Sequence, residues 1–176
     1  MTKYTKLSVF DFDGTIVDTP TKETGSITYK EKTGQEWPYQ GWWGRPETLD
    51  MNIFDMEPVP SVLSAYRKER AEAKTMTIML TGRIPRLRKL VEAILDKFGF
   101  KFDSYNYNMG GSTDVSKIKT MTEILDRHKG ITDVEMWDDR TDHIPIFQKW
   151  GNGLVKEGRL NSFKVNHVIL ENPHHK

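Results

Sequence analysis

The chain has 176 residues, of which 36% are apolar and 29% are charged, and its formal net charge is +1. This length fits one domain built on one core, and the balanced composition excludes a disordered chain. The near-neutral charge gives no global reason to expect a nucleic-acid or membrane partner, although a local basic patch remains open. The absence of cysteine excludes disulfides, thiolate catalysis and a zinc site with sulfur ligands.

No apolar run approaches the roughly 20 residues that a membrane-spanning helix needs. The polar Met1–Lys6 leads directly into a predicted strand, so we expect no signal peptide. A chain without cysteine is compatible with a reducing cytoplasm, which is the location we expect. The terminal Pro-His-His-Lys is typical of a solvated tail, and we expect no ligand role for His174 and His175.

The first predicted element is a buried strand within Leu7–Thr15, where alternating bulky residues lead into two carboxylates, Asp11 and Asp13. Residues two apart on a strand share a face, so these acids lie side by side where Asp-Gly turns the chain. Two like charges this close raise each other's pKa unless a cation lies between them. The pattern indicates a metal site that contains a nucleophile.

A long polar segment, Thr19–Pro60, follows this motif and is rich in Thr, Gly, Pro and Trp. It shows no sustained helical or strand period, so we expect an irregular insertion or a small lid. Long irregular segments are uncommon in compact domains and are often functional. Its tryptophans, Trp37, Trp42 and Trp43, either pack the segment onto the body or face a substrate, since large aromatic side chains serve both purposes.

The rest of the chain alternates between helices and strands. Helices are predicted at Ser61–Lys74, with Ser61 as its cap, and at Pro85–Phe98, Val115–His128 and His143–Trp150, the last ended by Gly151. Strands are predicted at Met76–Leu80, Phe100–Tyr107, Val134–Trp137 and Phe163–Leu170. The alternation predicts a single α/β domain, 1–176, with a mostly parallel sheet covered by helices on both faces. Such sheets bind ligands at the carboxyl ends of their strands.

Polar residues follow three of the predicted strands and should therefore face one crevice. They are Asp11 and Asp13, Thr81-Gly82-Arg83, and Asp138-Asp139-Arg140, with Lys117 from an intervening helix. Taken singly, each has a structural alternative: a turn, a favourable helix N-terminus or a solvated lysine. Together they suit phosphoryl transfer, with a carboxylate nucleophile, a second carboxylate as acid/base, and a hydroxyl and lysine for the phosphate oxygens. Carboxylates and phosphate oxygens are also the ligands that Mg²⁺ prefers.

This motif set resembles the haloacid dehalogenase-like (HAD) phosphatase superfamily. Its motif positions are matched in order by Asp11, Asp13, Thr15, Thr81, Lys117 (with Lys119 as the alternative), Asp138 and Asp139. The resemblance implies a three-layer Rossmannoid sheet with a minimal cap or none. It implies Asp11 as nucleophile, Asp13 as general acid/base, and Mg²⁺ as cofactor. The implied metal ligands are Asp11, the backbone carbonyl of Asp13, Asp138 and Asp139.

Three shorter pieces resemble more narrowly the HAD-like domain of Swiss Army Knife RNA repair proteins: Leu80-Thr81-Gly82-Arg83, Thr113-x-x-x-Lys117 and Asp-Asp-Arg-x-x-His. The Thr-Gly-Arg and Asp-Asp-Arg-Thr pieces also resemble the 3′-phosphatase domain of phage polynucleotide kinase/phosphatase. This implies phosphate binding by Gly82, Arg83 and Arg140; the alternative for Arg140 is a structural pair with a neighbouring aspartate. No kinase phosphate loop is present, so a stand-alone phosphatase module is implied.

The leading hypothesis is a Mg²⁺-dependent phosphomonoesterase that acts through a phosphorylated Asp11 on nucleic-acid 3′ ends or nucleotides. The segment after the third strand is too short for a large cap, and open sites in the superfamily favour large substrates. Bases can stack on Tyr39, Trp42 and Trp43. A nucleic-acid backbone can be held by Lys3, Lys6, Arg83, Arg86, Arg88 and Lys89.

Two alternatives belong beside this hypothesis. A small-molecule phosphatase, for sugars or metabolites, would use the same motifs, and the basic residues can equally form a solvated helix face. A non-catalytic HAD-like binding module is the alternative from another class, and the presence of both Asp11 and Asp13 argues against it. We expect a phosphorylated substrate as the partner, no membrane and no obligate protein partner.

Overall fold

The computed structural model describes residues 3–170 of the chain, so His174 and His175 lie outside the described residues. Along these residues the strands and helices are, in chain order, β1 (Lys6–Phe10), β2 (Val17–Asp18), α1 (Lys22–Thr33), β3 (Glu57–Pro58), α2 (Pro60–Ala71), β4 (Thr75–Leu80), α3 (Arg88–Lys97), β5 (Ser104–Asn106), α4 (Thr113–Arg127), β6 (Asp133–Asp138), α5 (Ile144–Lys156) and β7 (Ser162–His167). No helix in this part of the chain has the length and apolar character needed to cross a bilayer.

Five of the described strands form one parallel sheet in the order β5-β4-β1-β6-β7. The middle strand, β1, pairs with β4 and β6, and Phe10 lies opposite Met79 on one side and Trp137 on the other. The residues that follow these three strands therefore meet at one end of the sheet. The predicted α/β fold class is confirmed, and β2 and β3 form a separate small antiparallel pair.

Each face of the sheet is covered by its own hydrophobic cluster. Phe10 and Met79 pack with residues of α2 and α3 and with the segment between β2 and α2, while Val9 and Ile78 pack with α4 and α5 on the opposite face. The alternation of side chains along β1 explains the division. Phe10 is fully buried and stacks on Trp137 with ring centroids 4.4 Å apart, which fixes β1 against β6. Burial of one such ring contributes about 1.5–3 kcal/mol.

The segment predicted as irregular contains a helix, α1. Thr21 caps its first turn by accepting from the amide of Thr24 at 3.3 Å, and Gly34 ends it with a φ of 76°. Its buried residues are Gly25 and Tyr29, so the sequence lacks an apolar stripe that would indicate a helix. Contact with Trp42 stabilises it instead, because the indole lies where a Cβ at Gly25 would be.

Several predicted boundaries differ from the structure. Helix α2 begins at Pro60 with Val59 as its N-cap, so Ser61 is not the cap, because proline is favourable in the first helical position. A short 3-10 turn at Pro85–Leu87 precedes α3. Strand β5 is shorter than predicted, and β7 ends at His167.

Helix α5 does not end at Gly151, where the sequence predicted its end, but continues to Lys156. A glycine is needed at this position because the buried ring of Phe163, on β7, occupies the place of its missing Cβ. Gly151 is therefore a close-contact residue between α5 and β7 rather than a stop signal.

This contact gives a stability prediction. Gly151→Ala would overlap the ring of Phe163 and should lower the free energy of unfolding by about 1–3 kcal/mol, as overpacking does. Gly153→Ala is the matched control, because no described neighbour lies within 4 Å of a Cβ there, and it should stabilise the protein by about 0.5–1 kcal/mol. Urea unfolding monitored by circular dichroism measures both, and equal changes in the two variants would contradict the close contact.

Candidate active site

A cavity of about 140 Å³ lies at the carboxyl end of the sheet, where β1, β4 and β6 end. It brings together residues from all three predicted strand ends and from α4. Its lining residues are Asp11, Asp13, Trp43, Gly82, Arg83, Thr113, Lys117, Asp139 and Arg140. A larger groove, of about 1030 Å³, lies at the opposite end of the sheet beside Lys6 and Glu135. Lys6 pairs there with Glu135 at 2.9 Å and with Glu69 at 2.5 Å.

Asp11 lines the cavity and comes immediately after β1. Its backbone amide donates to the carbonyl of Trp137 at 3.1 Å, so the register of β1 and β6 fixes its position. One carboxylate oxygen, Oδ1, accepts from Lys117 Nζ at 2.9 Å, and Oδ2 accepts from the hydroxyl of Thr15 at 3.2 Å. The turn that follows depends on Gly14, whose φ is 67° and whose missing Cβ leaves room for Asp139.

Lys117 joins two of the acidic residues. Its ammonium lies 2.9 Å from Asp11 and 2.7 Å from Asp138, and its side chain is 2% exposed. Burial disfavours the charged form, but the two carboxylates outweigh this effect and hold the pKa of Lys117 above its usual range. Asp138 is fully buried, and its second oxygen accepts from the amide of Arg140 at 2.9 Å.

Three carboxylates could hold a metal ion. One oxygen from each of Asp11, Asp138 and Asp139 lies within 4.8 Å of the others. Burial raises the pKa of Asp11 well above its ordinary value, and the charges of Asp138 and Asp139 raise it further, against the effect of Lys117. Burial also raises the pKa of Asp139. Three carboxyl groups face only one lysine, so the cluster is short of positive charge. A divalent cation, which prefers oxygen ligands, would supply that charge. The role of the Asp13 carbonyl stays a prediction.

Asp13 is held by Arg83 in a two-point ion pair. Arg83 donates from Nε to Asp13 Oδ2 at 2.9 Å and from Nη2 to Oδ1 at 2.7 Å, and the hydroxyl of Thr19 donates to Oδ1 at 2.7 Å. Arg83 also donates from Nη1 to the carbonyl of Trp43 at 2.9 Å and to the hydroxyl of Thr48 at 2.7 Å. The arginine is 2% exposed. Its predicted phosphate contact stays a prediction, and the pair with Asp13 was not predicted.

Thr81 and Gly82 contribute to the site in different ways. Thr81 is not among the described residues that line the cavity, and its hydroxyl accepts from the amide of Arg83 at 3.1 Å. Gly82 lines the cavity and lets Thr113 approach, since a Cβ on Gly82 would lie 2.7 Å from the Thr113 side chain. Thr113 was not predicted as a site residue, although its spacing from Lys117 places both on one face of α4.

The aromatic residues predicted to stack on bases lie in three different settings. Trp43 lines the cavity and is 45% exposed. Trp42 is 3% exposed and donates from its indole to the carbonyl of Pro20 at 3.1 Å, so it belongs to the core and offers no free ring face. Tyr39 lies against the guanidinium of Arg45, with 4.0 Å between the charge and the ring centroid. The structure therefore corrects the stacking role predicted for Trp42.

Arg140, which was predicted to bind phosphate, lines the cavity. Its guanidinium pairs with Asp142 at 3.0 and 3.1 Å rather than with Asp138 or Asp139, the structural partners considered for it.

The basic residues predicted to hold a nucleic-acid backbone lie in different places. Arg83 lines the cavity. Lys6 begins β1, at the far end of the sheet from the cavity, and pairs with Glu135. A nucleic-acid backbone bound at the cavity would therefore contact only part of the predicted basic set.

The chain is similar in sequence to a yeast protein and similar in fold to two solved structures. An uncharacterized protein of Saccharomyces cerevisiae, YMR265C, is 24% identical over 85% of this chain, which spans 38% of that relative. A chain of the Pnkp1/Rnl/Hen1 complex superposes with a TM-score of 0.58 and 18% identity, covering 97% of this chain and 49% of its own. A β-phosphoglucomutase from Pyrococcus sp. ST 04 superposes with a TM-score of 0.54 and 14% identity over 83% of each chain. The two superpositions agree on the fold.

The sequence also matches a protein family directly. The match is to HAD domain family 1 in Swiss Army Knife RNA repair proteins, and it covers residues 24–175. It includes Thr81, Lys117 and the Asp138-Asp139 pair but begins after Asp11 and Asp13, which the structure brings to the same cavity. The chain therefore belongs to HAD domain family 1 of the Swiss Army Knife RNA repair proteins.

Proposed function

We propose that this protein is a Mg²⁺-dependent phosphomonoesterase that works through an aspartyl-phosphate on Asp11. The observation that carries the proposal is the position of the Asp11 carboxylate, which borders the cavity while Lys117, Asp138 and Asp139 surround it. Membership of a HAD domain family supports phosphoryl-transfer chemistry. A carboxylate in such a setting can attack phosphorus and form an acyl phosphate.

The proposed reaction has two steps. In the first, a carboxylate oxygen of Asp11 bonds to phosphorus, the ester P–O bond breaks, and protonated Asp13 gives its proton to the leaving oxygen. In the second, Asp13 takes a proton from water, the water oxygen bonds to phosphorus, and the acyl-phosphate bond breaks to release inorganic phosphate. Lys117 stays charged throughout and offsets negative charge on Asp11.

We assign the metal to Asp11, Asp138 and Asp139, whose side-chain oxygens lie within 4.8 Å of one another. When bound, Mg²⁺ would neutralise charge on the carboxylates and on the substrate phosphate. Without such neutralisation, a phosphate dianion would meet several carboxylates and one lysine. The raised pKa of Asp11 and of Asp139 has the same cause, which is burial close to other acids.

Substitution of the two acids tests the mechanism. Asp11→Asn should abolish hydrolysis of an aryl phosphate in the presence of Mg²⁺, because the amide cannot form the acyl phosphate. Asp13→Asn should lower kcat for an alkyl phosphate by about 10²–10⁴-fold, the usual contribution of an acid/base group. Asp126→Asn removes an exposed carboxylate on α4 and serves as the control. Undiminished turnover by Asp11→Asn would contradict the mechanism.

Thermal unfolding tests the metal site. Because the pKa of Asp11 is raised above 3.8 in the folded protein, the folded state keeps a proton that the unfolded chain releases. In EDTA the melting temperature should therefore fall as the pH rises from about 4 toward the folded-state pKa. At neutral pH, Mg²⁺ at 100 times its Kd should raise the melting temperature by about 5–10 °C.

The same measurement on Asp11→Asn separates this carboxylate from the rest of the chain. The variant should show a weaker dependence on pH in EDTA and a smaller shift with Mg²⁺. An equal Mg²⁺ shift in the variant and the unaltered protein would show that the ion binds elsewhere.

For the substrate we propose a nucleic-acid end that carries a phosphate, with the 3′-phosphate preferred over nucleotides. Family membership in RNA repair proteins supports this class. Trp43 supports it independently, because a half-exposed indole that lines the cavity can stack on the terminal base. In this proposal Arg140, which also lines the cavity, contacts the phosphate itself or the adjoining backbone.

Comparison of substrates and of two Trp43 variants tests this proposal. Trp43→Ala should raise KM for a 3′-phosphorylated oligonucleotide by about 5–150-fold, since stacking contributes about 1–3 kcal/mol per base. Trp43→Phe retains a ring and should lose less, and KM for glycerol phosphate should change little in either variant. Faster turnover of sugar phosphates than of every 3′- or 5′-phosphorylated oligonucleotide would favour the small-molecule alternative.

A further inference from the structure

Arg83 has nearly all of its hydrogen-bonding capacity committed inside the protein. A guanidinium carries five N–H groups. Four hydrogen bonds leave Arg83: two to the carboxylate of Asp13, one to the carbonyl of Trp43 and one to the hydroxyl of Thr48. Its side chain is 1% exposed, whereas that of Asp13 is 17% exposed. The carboxylate therefore reaches the cavity more openly than the arginine that holds it.

We propose that Arg83 is a positioning residue, which orients Asp13 for proton transfer and fixes the cavity wall to it, and that it does not bind the reacting phosphate. The inference rests on the proposed function, because the acid/base role of Asp13 belongs to it. It differs from the phosphate-binding role that the resemblance of the Thr-Gly-Arg piece implied for this arginine.

The geometry of the pair explains how Arg83 orients Asp13. Two parallel bonds of 2.9 and 2.7 Å fix the plane of the carboxylate, which a single bond would leave free to rotate. The hydroxyl of Thr19 adds a third bond at 2.7 Å on Oδ1. A phosphate could take these donors from Arg83 only by leaving a partly buried carboxylate without its charged partner, and that exchange is unfavourable.

The same guanidinium also holds the cavity wall. Its Nη1 reaches Trp43 and Thr48, which lie 40 and 35 residues away from Arg83 in the sequence. Its charge lies 5.2 Å from the centroid of the Trp43 ring. The wall that carries Trp43 and the carboxylate of Asp13 are therefore tied to one rigid group, so displacement of either displaces the other.

Leaving-group dependence separates positioning from phosphate binding. In the first step, a proton from Asp13 greatly increases the rate at which a poor leaving group such as an alkoxide departs. It has little effect on p-nitrophenolate, which departs without a proton. A phosphate contact is the same in both esters, because the phosphoryl group is the same. Loss of a positioning residue should therefore be selective for alkyl esters, and loss of a phosphate ligand should affect both esters alike.

The experiment compares Arg83→Gln with the unaltered protein on p-nitrophenyl phosphate and on a 3′-phosphorylated oligonucleotide, with Mg²⁺ present. We expect the single-turnover rate of leaving-group release, which reports the first step alone, to fall at least about 10-fold more on the oligonucleotide than on the aryl ester, in the same direction as for Asp13→Asn. In the double variant, Arg83→Gln should add no further selective loss to Asp13→Asn. Equal losses on both esters, or an equal rise in KM, would overturn the inference.

Two further variants guard against a loss of folding. Thr48→Val removes a single acceptor from Arg83 and should give a smaller selective loss on the oligonucleotide. If this variant showed no selective loss at all, the proposed link between Arg83 and the cavity wall would be contradicted. Arg70→Gln removes an arginine–aspartate pair of 2.8 Å, with Asp103, away from the cavity, and should show no selectivity. If the unaltered protein hydrolyses neither ester, the proposed function itself fails, which is a separate result.

Discussion

The buried contact of Lys117 with Asp11 and Asp138 is the constraint on which the site depends. It joins the end of β1, the first turns of α4 and the end of β6 through one ammonium group, at 2.9 and 2.7 Å. Buried charges are tolerated when they are paired and hydrogen-bonded, so each of these elements must keep its place for the others to remain paired. The parallel register of β1 and β6 provides that placement. Fold and site are thus specified by the same few residues.

The charge balance of this cluster determines what the cavity can accept. Asp139 adds a third carboxylate beside the Asp11–Lys117–Asp138 group, so the acids outnumber the lysine. A cavity of this kind repels a phosphate until a cation joins it, and it attracts cations for the same reason. In the proposed function, metal binding therefore precedes or accompanies substrate binding, and the acidic cluster serves selectivity as well as chemistry.

Residues whose position follows from the order of the strands could be predicted from the sequence. Residues whose role depends on contacts with distant parts of the chain could not. Asp11, Lys117 and the Asp138-Asp139 pair could be placed at one crevice because parallel strands end at a common edge. Helix α1 could not be recognised, since its stability comes from Trp42 packed on Gly25 rather than from its own periodicity. The two-point pair of Arg83 with Asp13 was equally invisible, because it joins residues 70 positions apart.

The hydrogen bond from Arg83 to Trp43 is accepted by the backbone carbonyl of the tryptophan. Any residue at this position would present the same acceptor. A different side chain at this position would therefore keep the hydrogen bond that anchors the wall and lose only the contact of the guanidinium with the ring, at 5.2 Å. In the proposed function, substrate recognition by Trp43 and proton transfer by Asp13 would in this way be separable, and this one position would be a place where substrate preference could diverge among related proteins.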